Sequence, residues 1–297
     1  MQKTDFKIKE IDLSNSTLRN NAEELIHKTF GQPTNNLKLN TFTESSIGNK
    51  TIYIGSFDNE KLIGFNAFIS HDFILNGEIK RCFQSCWSAS DANYRGKKVW
   101  VNIINFAKEY LKEKGGSFIF GFPNHNSHPI FIHKLGFSEL EMIKTFVPSI
   151  QFLNYFYFKS NKYNLNTFNT YLQNDHQILQ LKKTEKKEKI IELNLDNNLI
   201  WGIIRQKNIA GIKLPYLDVG GMVINRSKTI KYLFKKLFET HFLVGAQIVM
   251  HKNNPYHELF KKTTKAPLSE PFIYFNLNDT IDSNTNIHIM SGVKDVF

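Results

Sequence analysis

Asn93-Tyr94-Arg95-Gly96-Lys97-Lys98-Val99-Trp100 is the stretch on which the fold turns. It follows a strand-like run, 79–90, and opens into a segment carrying Trp100, Ile103, Ile104, Ala107, Tyr110 and Leu111 at three- and four-residue spacing. That spacing is the period of a helix packed on a sheet. A basic, glycine-bearing turn that opens directly into a helix presents backbone N–H groups and the positive end of the helix dipole. Both suit a phosphate. Working outward, Lys114-Gly115-Gly116 ends the helix, and 117–122 reads as a buried central strand. Gly121-Phe122-Pro123-Asn124-His125-Asn126-Ser127-His128-Pro129 comes next, with Ser127 expected to cap a short helix and Pro129 just inside it. Lys134-Leu135-Gly136-Phe137 closes the segment.

Upstream, 6–13 is a first strand, and Ser14 or Ser16 caps a helix that reaches Phe30 and ends at Gly31. The polar run 34–49 is a loop. Strands follow at 51–57 and 61–69, and Asn76-Gly77 is the strongest hairpin signal in the chain. Downstream, strands are expected at 140–147 and 151–159. An antiparallel meander, a crossover helix, one parallel partner and a return hairpin make an α+β sheet.

The composition then shifts to Asn, Lys and Gln over 161–196, which reads as a connector, with a helix at 167–181. The pattern restarts after it: strands at 199–206 and 213–223, a helix at 226–241 capped by Asn225, a strand at 246–251, a short helix opened by Asn254-Pro255, and a strand at 271–277. A second copy of the first unit is expected. The expected organisation is a first module over 1–160 that carries the basic turn, the connector over 161–196, and a degenerate second module over 197–297. The second junction reads Val223-Ile224-Asn225-Arg226-Ser227, with no Arg-Gly turn to bring amides onto a diphosphate.

A chain of 297 residues with 41% apolar content holds two ordinary cores. Lysine plus arginine number 38 against 27 acidic residues. The excess suits phosphorylated partners. The run 182–189 is interrupted by Glu185 and Glu188, so it reads as a solvated face, and no nucleic-acid motif accompanies the charge. Cys82 and Cys86 match neither a redox pair nor a zinc site, so no metal is expected; two reduced, semi-buried thiols in a cytoplasmic protein are. No run approaches the roughly 20 apolar residues that span a bilayer, and the N-terminus lacks a signal-peptide pattern, so no membrane insertion is expected.

The order of these segments resembles the GCN5-related N-acetyltransferases (the GNAT superfamily), over 85–137 closely and over the flanking strands loosely. The resemblance implies two tandem modules, each a mixed, mostly antiparallel sheet flanked by helices. It implies that acyl-CoA lies with its diphosphate on Arg95, Gly96, Lys97, Lys98, Val99 and Trp100. Its pantetheine arm would pair with the backbone of Trp87, Ser88, Ala89 and Ser90, where a backbone N–H would also hold the oxyanion. Asn124, Asn126 and Ser127 would form the other lip. Three positions depart from the family pattern. Lys98 stands where glycine is usual, which is tolerable if its φ stays negative. Trp100 stands where glycine or alanine is usual, so its side chain must turn into the core. Ile132 stands where many members place a tyrosine that protonates the leaving thiolate.

Candidates for deprotonating the amine are His125, His128 and Asp91. Cys86 is not expected to carry the acyl group, because direct transfer needs no enzyme nucleophile. The Gly-Phe-Pro-Asn-x-Asn-Ser-x-Pro stretch is similar to that of two-module acyltransferases of bacterial surface-polysaccharide (lipopolysaccharide, O-antigen) synthesis. That implies transfer of acetyl from acetyl-CoA, or 3-hydroxybutanoyl from 3-hydroxybutanoyl-CoA, to a nucleotide-linked amino sugar, a dTDP-sugar for instance. Trp201, Arg205, Tyr216 and Asp218 of the second module are the expected acceptor-binding residues. Two rivals stand beside this reading: a protein or peptide N-acetyltransferase, and a non-catalytic acyl-CoA-binding module.

Overall fold

The computed structural model describes residues 6–31, 50–150, 158, 170–185, 190–209, 211–225, 229–265, 271–279, 281, 285–290 and 292. The chain divides into two compact units. One is Met1–Asp72, Lys80–Glu139 and Phe272–Ile281; the other is Phe73–Ile79, Leu140–Pro271 and Asp282–Phe297.

In chain order the elements are β1 (Lys7–Glu10), α1 (Ser16–Phe30), β2 (Ile52–Asp58), β3 (Lys61–Leu75), β4 (Glu78–Ser90), α2 (Val99–Glu113), β5 (Phe118–Gly121), α3 (His128–Leu135), β6 (Ser138–Leu140), β7 (Met142–Pro148), β8 (Thr170–Gln173), α4 (Asp175–Glu185), β9 (Ile190–Leu195), β10 (Asn198–Ile209), β11 (Ile212–Val223), α5 (Thr229–His241), β12 (Gly245–His251), β13 (Thr264–Lys265), β14 (Phe272–Asn276) and β15 (Asn286–His288). Local chemistry explains several ends. Asn15, not either serine, caps α1, accepting from the Leu18 amide, and Gly31 ends it at φ +65°. Asn76 and Gly77 both take positive φ, 52° and 85°, which gives the β3–β4 hairpin its tight turn.

The first unit is built on the strand order β1-β2-β3-β4-β5-β14-β6. Neighbours from β1 to β3 are antiparallel, β4 and β5 are parallel, and β14 returns antiparallel to β5. Successive strand residues face opposite sides. Phe68, Phe83, Ile119 and Ile273 therefore form one core with Ile103, Ile104, Ala107 and Leu111 of α2. Phe65, Ala67, Ile69 and Cys86 form another with Ala22, Leu25 and Ile26 of α1.

The second unit is built on the order β13-β7-β12-β11-β10-β9. Here β9, β10 and β11 make an antiparallel meander, β11 pairs with β12 in parallel, and β7 runs antiparallel to β12. Ile230, Leu233, Phe234, Leu237 and Phe238 of α5 pack on Leu217, Val219 and Ile248. The expected repeat is therefore present as strand, helix and parallel strand in each sheet: β4-α2-β5 and β11-α5-β12.

The expected boundaries at 160 and 197 differ from this arrangement. β14, read from sequence as the last strand of the second module, completes the first sheet beside β5. β7, read as part of the first, completes the second beside β12. The expected connector holds β8, α4 and β9, and the helix begins at Asp175, with 170–173 extended before it. The strand expected at 151–159 lies outside the described residues except for Phe158, which makes a bridge to Phe260. Among the described residues no helix is long and apolar enough to cross a membrane.

Candidate active site

β4 and β5 pair only from Cys82↔Phe118 to Gln84↔Phe120. β4 then runs six residues further, to Ser90, while β5 ends at Gly121. The two strands part beyond this pairing, and β4 keeps backbone groups that β5 does not use. Within that stretch Trp87 sits at φ +55°. A bulky residue in the left-handed region is strained and persists only where its surroundings impose it. Ser88 and Ser90 are half-buried, and Ala89 is buried against the α1 side of the sheet.

Past Ser90 the chain makes a single 3-10 turn, Ala92–Tyr94, whose start is capped by Asp91. Tyr94 anchors it. Its hydroxyl donates to Asp58 at 2.6 Å, and its ring carries the Lys97 ammonium at 4.6 Å. Gly96 takes φ +79° with open space where a Cβ would project. Lys98 takes φ +58° and is the N-cap of α2, with no side-chain capping bond. The condition of a negative φ is not met: the turn needs a left-handed residue at this point and uses lysine. The first amides of α2, at Val99, Trp100 and Val101, have no intrahelical acceptor. Arg95, Lys97 and Lys98 are exposed around them. Trp100 does turn inward: its ring meets Phe131 edge-on at 4.9 Å, and its indole N–H donates to Asn66.

On the other lip, Asn124 Oδ1 accepts from the amides of Asn126 and Ser127, and the Ser127 hydroxyl also donates to it. Ser127 occupies the N-cap of α3 without a capping bond of its own; Asn124 organises the turn instead. His125 is exposed at the tip. His128 is engaged by Glu139, Nε2 to Oε2 at 2.7 Å. Asp91 pairs with Lys61 at 2.7 Å, and its pKa is held below the usual carboxylate range, first by that lysine and then by the Asn93 amide. A carboxylate so held is a weak base.

Sequence reading passed over His71, a histidine inside a long apolar strand. It is buried on β3, with Nε2 at 3.1 Å from Gln84 Oε1 and its ring edge-on to Phe120 at 5.4 Å. Gln84 and Phe120 are the last pair before β4 and β5 part. Both cysteines are buried, and neither is in a disulfide; Cys82 is pushed well above the ordinary thiol pKa by burial, which makes it unreactive.

The corresponding place in the second unit is filled by the chain itself. β11 and β12 pair from Leu217↔Ala246 to Val219↔Ile248. Beyond that, Met290 bridges to Met250, the His251 amide donates to the Ile289 carbonyl, and the Met290 amide donates to Gln173. A Cβ on Gly292 would stand 2.4 Å from the Gly220 carbonyl oxygen, so the segment lies hard against β11. The junction amides are also taken: Ile224 donates to the Tyr256 hydroxyl and Asn225 to Asn198.

Of the four expected acceptor-binding residues, Trp201 is a core residue. It is wholly buried, and its indole N–H donates to Asp175 at 3.2 Å. Its expected place on an open surface is corrected: the buried Asp175 needs donors, and Trp201 supplies one. Arg205, Tyr216 and Asp218 do come together. Arg205 is opposite Tyr216 on paired strands, and its Nε lies 3.8 Å from Asp218.

Residues 10–140 match the family model of the acetyltransferase (GNAT) domain. No curated protein matches the chain in sequence. Among solved structures, a GCN5-related N-acetyltransferase from Kribbella flavida superposes with TM-score 0.61 at 11% identity, over 92% of this chain and 72% of that one. A conserved protein from Enterococcus faecalis, described as a probable N-acyltransferase, gives 0.60 at 11% identity over 92% and 73%. A putative acetyltransferase from Pyrococcus horikoshii gives 0.53 at 10% identity over 99% and 95%. These likenesses show a shared fold, with two sheets flanked by helices. The family model covers 10–140, less than half of the chain, and acyl-CoA-dependent acyl transfer is the enzymatic class that this match supports.

Proposed function

We propose that the protein is an N-acyltransferase that moves an acyl group from acyl-CoA directly to the amine of a nucleotide-linked amino-deoxy sugar. The observation that carries the donor half is the open first turn of α2, ringed by Arg95, Lys97 and Lys98, beside a β4 that outruns its pairing with β5. A diphosphate on the first and an extended pantetheine along the second use the two features of coenzyme A that a protein holds most readily. The acceptor half is supported by the likeness of 121–129 to sugar acyltransferases and by the net positive charge of 11, which suits two phosphorylated substrates.

In the reaction the acceptor nitrogen attacks the thioester carbonyl carbon. The carbonyl electrons move to oxygen and are held by a backbone N–H of β4. The oxyanion then collapses, the C–S bond breaks, and coenzyme A leaves as a thiolate. The proton from the acceptor nitrogen goes to a base or to water. Asp91 is paired with Lys61 and His128 with Glu139, which leaves His125 as the histidine of the 121–129 loop to examine first.

The test is thermal stabilisation by acetyl-CoA and 3-hydroxybutanoyl-CoA, with and without dTDP- and UDP-linked amino sugars, followed by free-thiol release on turnover. A specific ligand at a hundredfold excess over its Kd stabilises by roughly 2.7 kcal/mol. Stabilisation and thiol release with one nucleotide sugar support the proposal. Turnover only on peptide amines would replace the acceptor, and binding without turnover on any amine would make the protein a binding module.

A further inference from the structure

Ser85 and Ser88 are three residues apart on β4. On a regular strand they would face opposite sides of the sheet. Here both meet the same side chain: Asn66 Nδ2 donates to Ser85 Oγ at 3.1 Å, and Ser88 Oγ donates to Asn66 Oδ1 at 2.5 Å. The left-handed Trp87 between them supplies the extra step that brings Ser88 round. Asn66 Oδ1 also accepts from Trp100 Nε1 at 3.2 Å, and Nδ2 also donates to the Ala67 carbonyl at 2.9 Å. An asparagine amide has two donors and two acceptor sites. All are engaged, and the residue is wholly buried.

A saturated polar group in an apolar core holds one geometry, because any shift leaves a partner unmet at a cost. What Asn66 joins is specific. Ser85 and Ser88 bracket the left-handed residue of β4, and Trp100 lies in the first turn of α2. Asn66 therefore links the strand proposed to take the pantetheine arm to the helix end proposed to take the diphosphate. We infer that Asn66 is a positioning residue that sets the spacing between these two subsites, so that one acyl-CoA molecule engages both at once. The inference rests on the donor half of the function proposed above.

The double variant Ser88→Ala/Trp100→Phe removes both donors to Asn66 Oδ1 and keeps an aromatic ring against Phe131. Affinities for coenzyme A and for ADP are measured by calorimetry. Coenzyme A spans both subsites, whereas ADP reaches only the diphosphate turn. The expected result is a rise of about tenfold in the Kd for coenzyme A, with the Kd for ADP changing less than about twofold. Equal weakening of both ligands would mean that Asn66 merely supports the turn, and unchanged affinity for coenzyme A would mean that the spacing is set elsewhere; either overturns the inference. If the double variant does not fold, Trp100→Phe alone is judged by the same ratio, with a smaller expected change. Wild-type protein that binds no coenzyme A would instead overturn the functional reading itself.

Discussion

Gly96 and Lys98 show how much two backbone positions decide. Gly96 takes φ +79° with nothing near its missing Cβ, so a side chain there projects into open space beside the α2 amides. Gly96→Asp should cost about 1 kcal/mol of stability for its left-handed backbone. It should weaken acyl-CoA binding at least tenfold, because it sets a carboxylate against the diphosphate. Calorimetry on the folded variant checks this, and unchanged binding would move the donor site elsewhere. Lys98, at φ +58°, carries the same backbone strain with a side chain present. Lys98→Gly should therefore raise stability by about 0.5 kcal/mol, the relief of strain exceeding the extra chain entropy of glycine; urea unfolding measures it. Sequence made both residues visible as a turn. It did not show the sign of φ at Lys98, because that angle is imposed by the entry of the turn into α2 rather than by the lysine.

At the scale of elements, α2 lies close on β3 at Gly64. A Cβ on Gly64 would lie 2.5 Å from Val99 Cγ1 and 2.8 Å from Ile103 Cδ1. Gly64→Ala should push the first turns of α2 off the sheet, at a cost of about 1–3 kcal/mol. Because the same turns are proposed to offer amides to the phosphates, acyl-CoA affinity should fall with it. Full affinity in a destabilised variant would show that the helix position and the site are independent. The crossover unit β4-α2-β5 was legible in advance, since Ile103, Ile104, Ala107 and Leu111 repeat at helical spacing between two apolar runs. β8 and β9 were not. The Asn- and Lys-rich composition of 161–196 hid two strands: β8, which pairs with distant residues as in Asn286↔Thr170, and the edge strand β9, which pairs back on β10 from Leu195↔Asn198.

At the scale of the molecule, the first unit carries the exposed turn and splayed strand, while the second fills its equivalent place with Ile289, Met290 and Gly292. Calorimetric titration should therefore give one coenzyme A per chain; a second, independent binding event would overturn that division. The second unit also carries a pH dependence. His251 is buried, and its pKa is pushed down to about 4, chiefly by burial and then by Lys252. The unfolded chain holds this histidine near its ordinary value of about 6.5, so it takes up a proton before the folded state does. The stability this site contributes is present above about pH 6.5 and is lost as pH falls toward 4, by up to about 3 kcal/mol. Wild type and His251→Gln unfolded in urea across that range should show a steeper loss in wild type; parallel curves would assign the acid sensitivity to other groups.

The sequence by itself determined what local chemistry determines. Helical spacing set α2 and α5, Asn76-Gly77 set the hairpin, and Arg95-Gly96 opening into a helix marked the candidate phosphate turn. Tertiary structure alone decided which sheet each strand completes. β14 joins β5 and β7 joins β12 because a strand pairs wherever a backbone edge and an apolar face are on offer, and periodicity records neither. It alone decided that Trp201 is core and that Asn66 ties β4 to α2, since a residue's partners are set by what the chain brings across from it. The filled cleft of the second unit follows the same rule. Met290 and Gly292 carry no motif, and they matter only because folding places them against Met250 and Gly220.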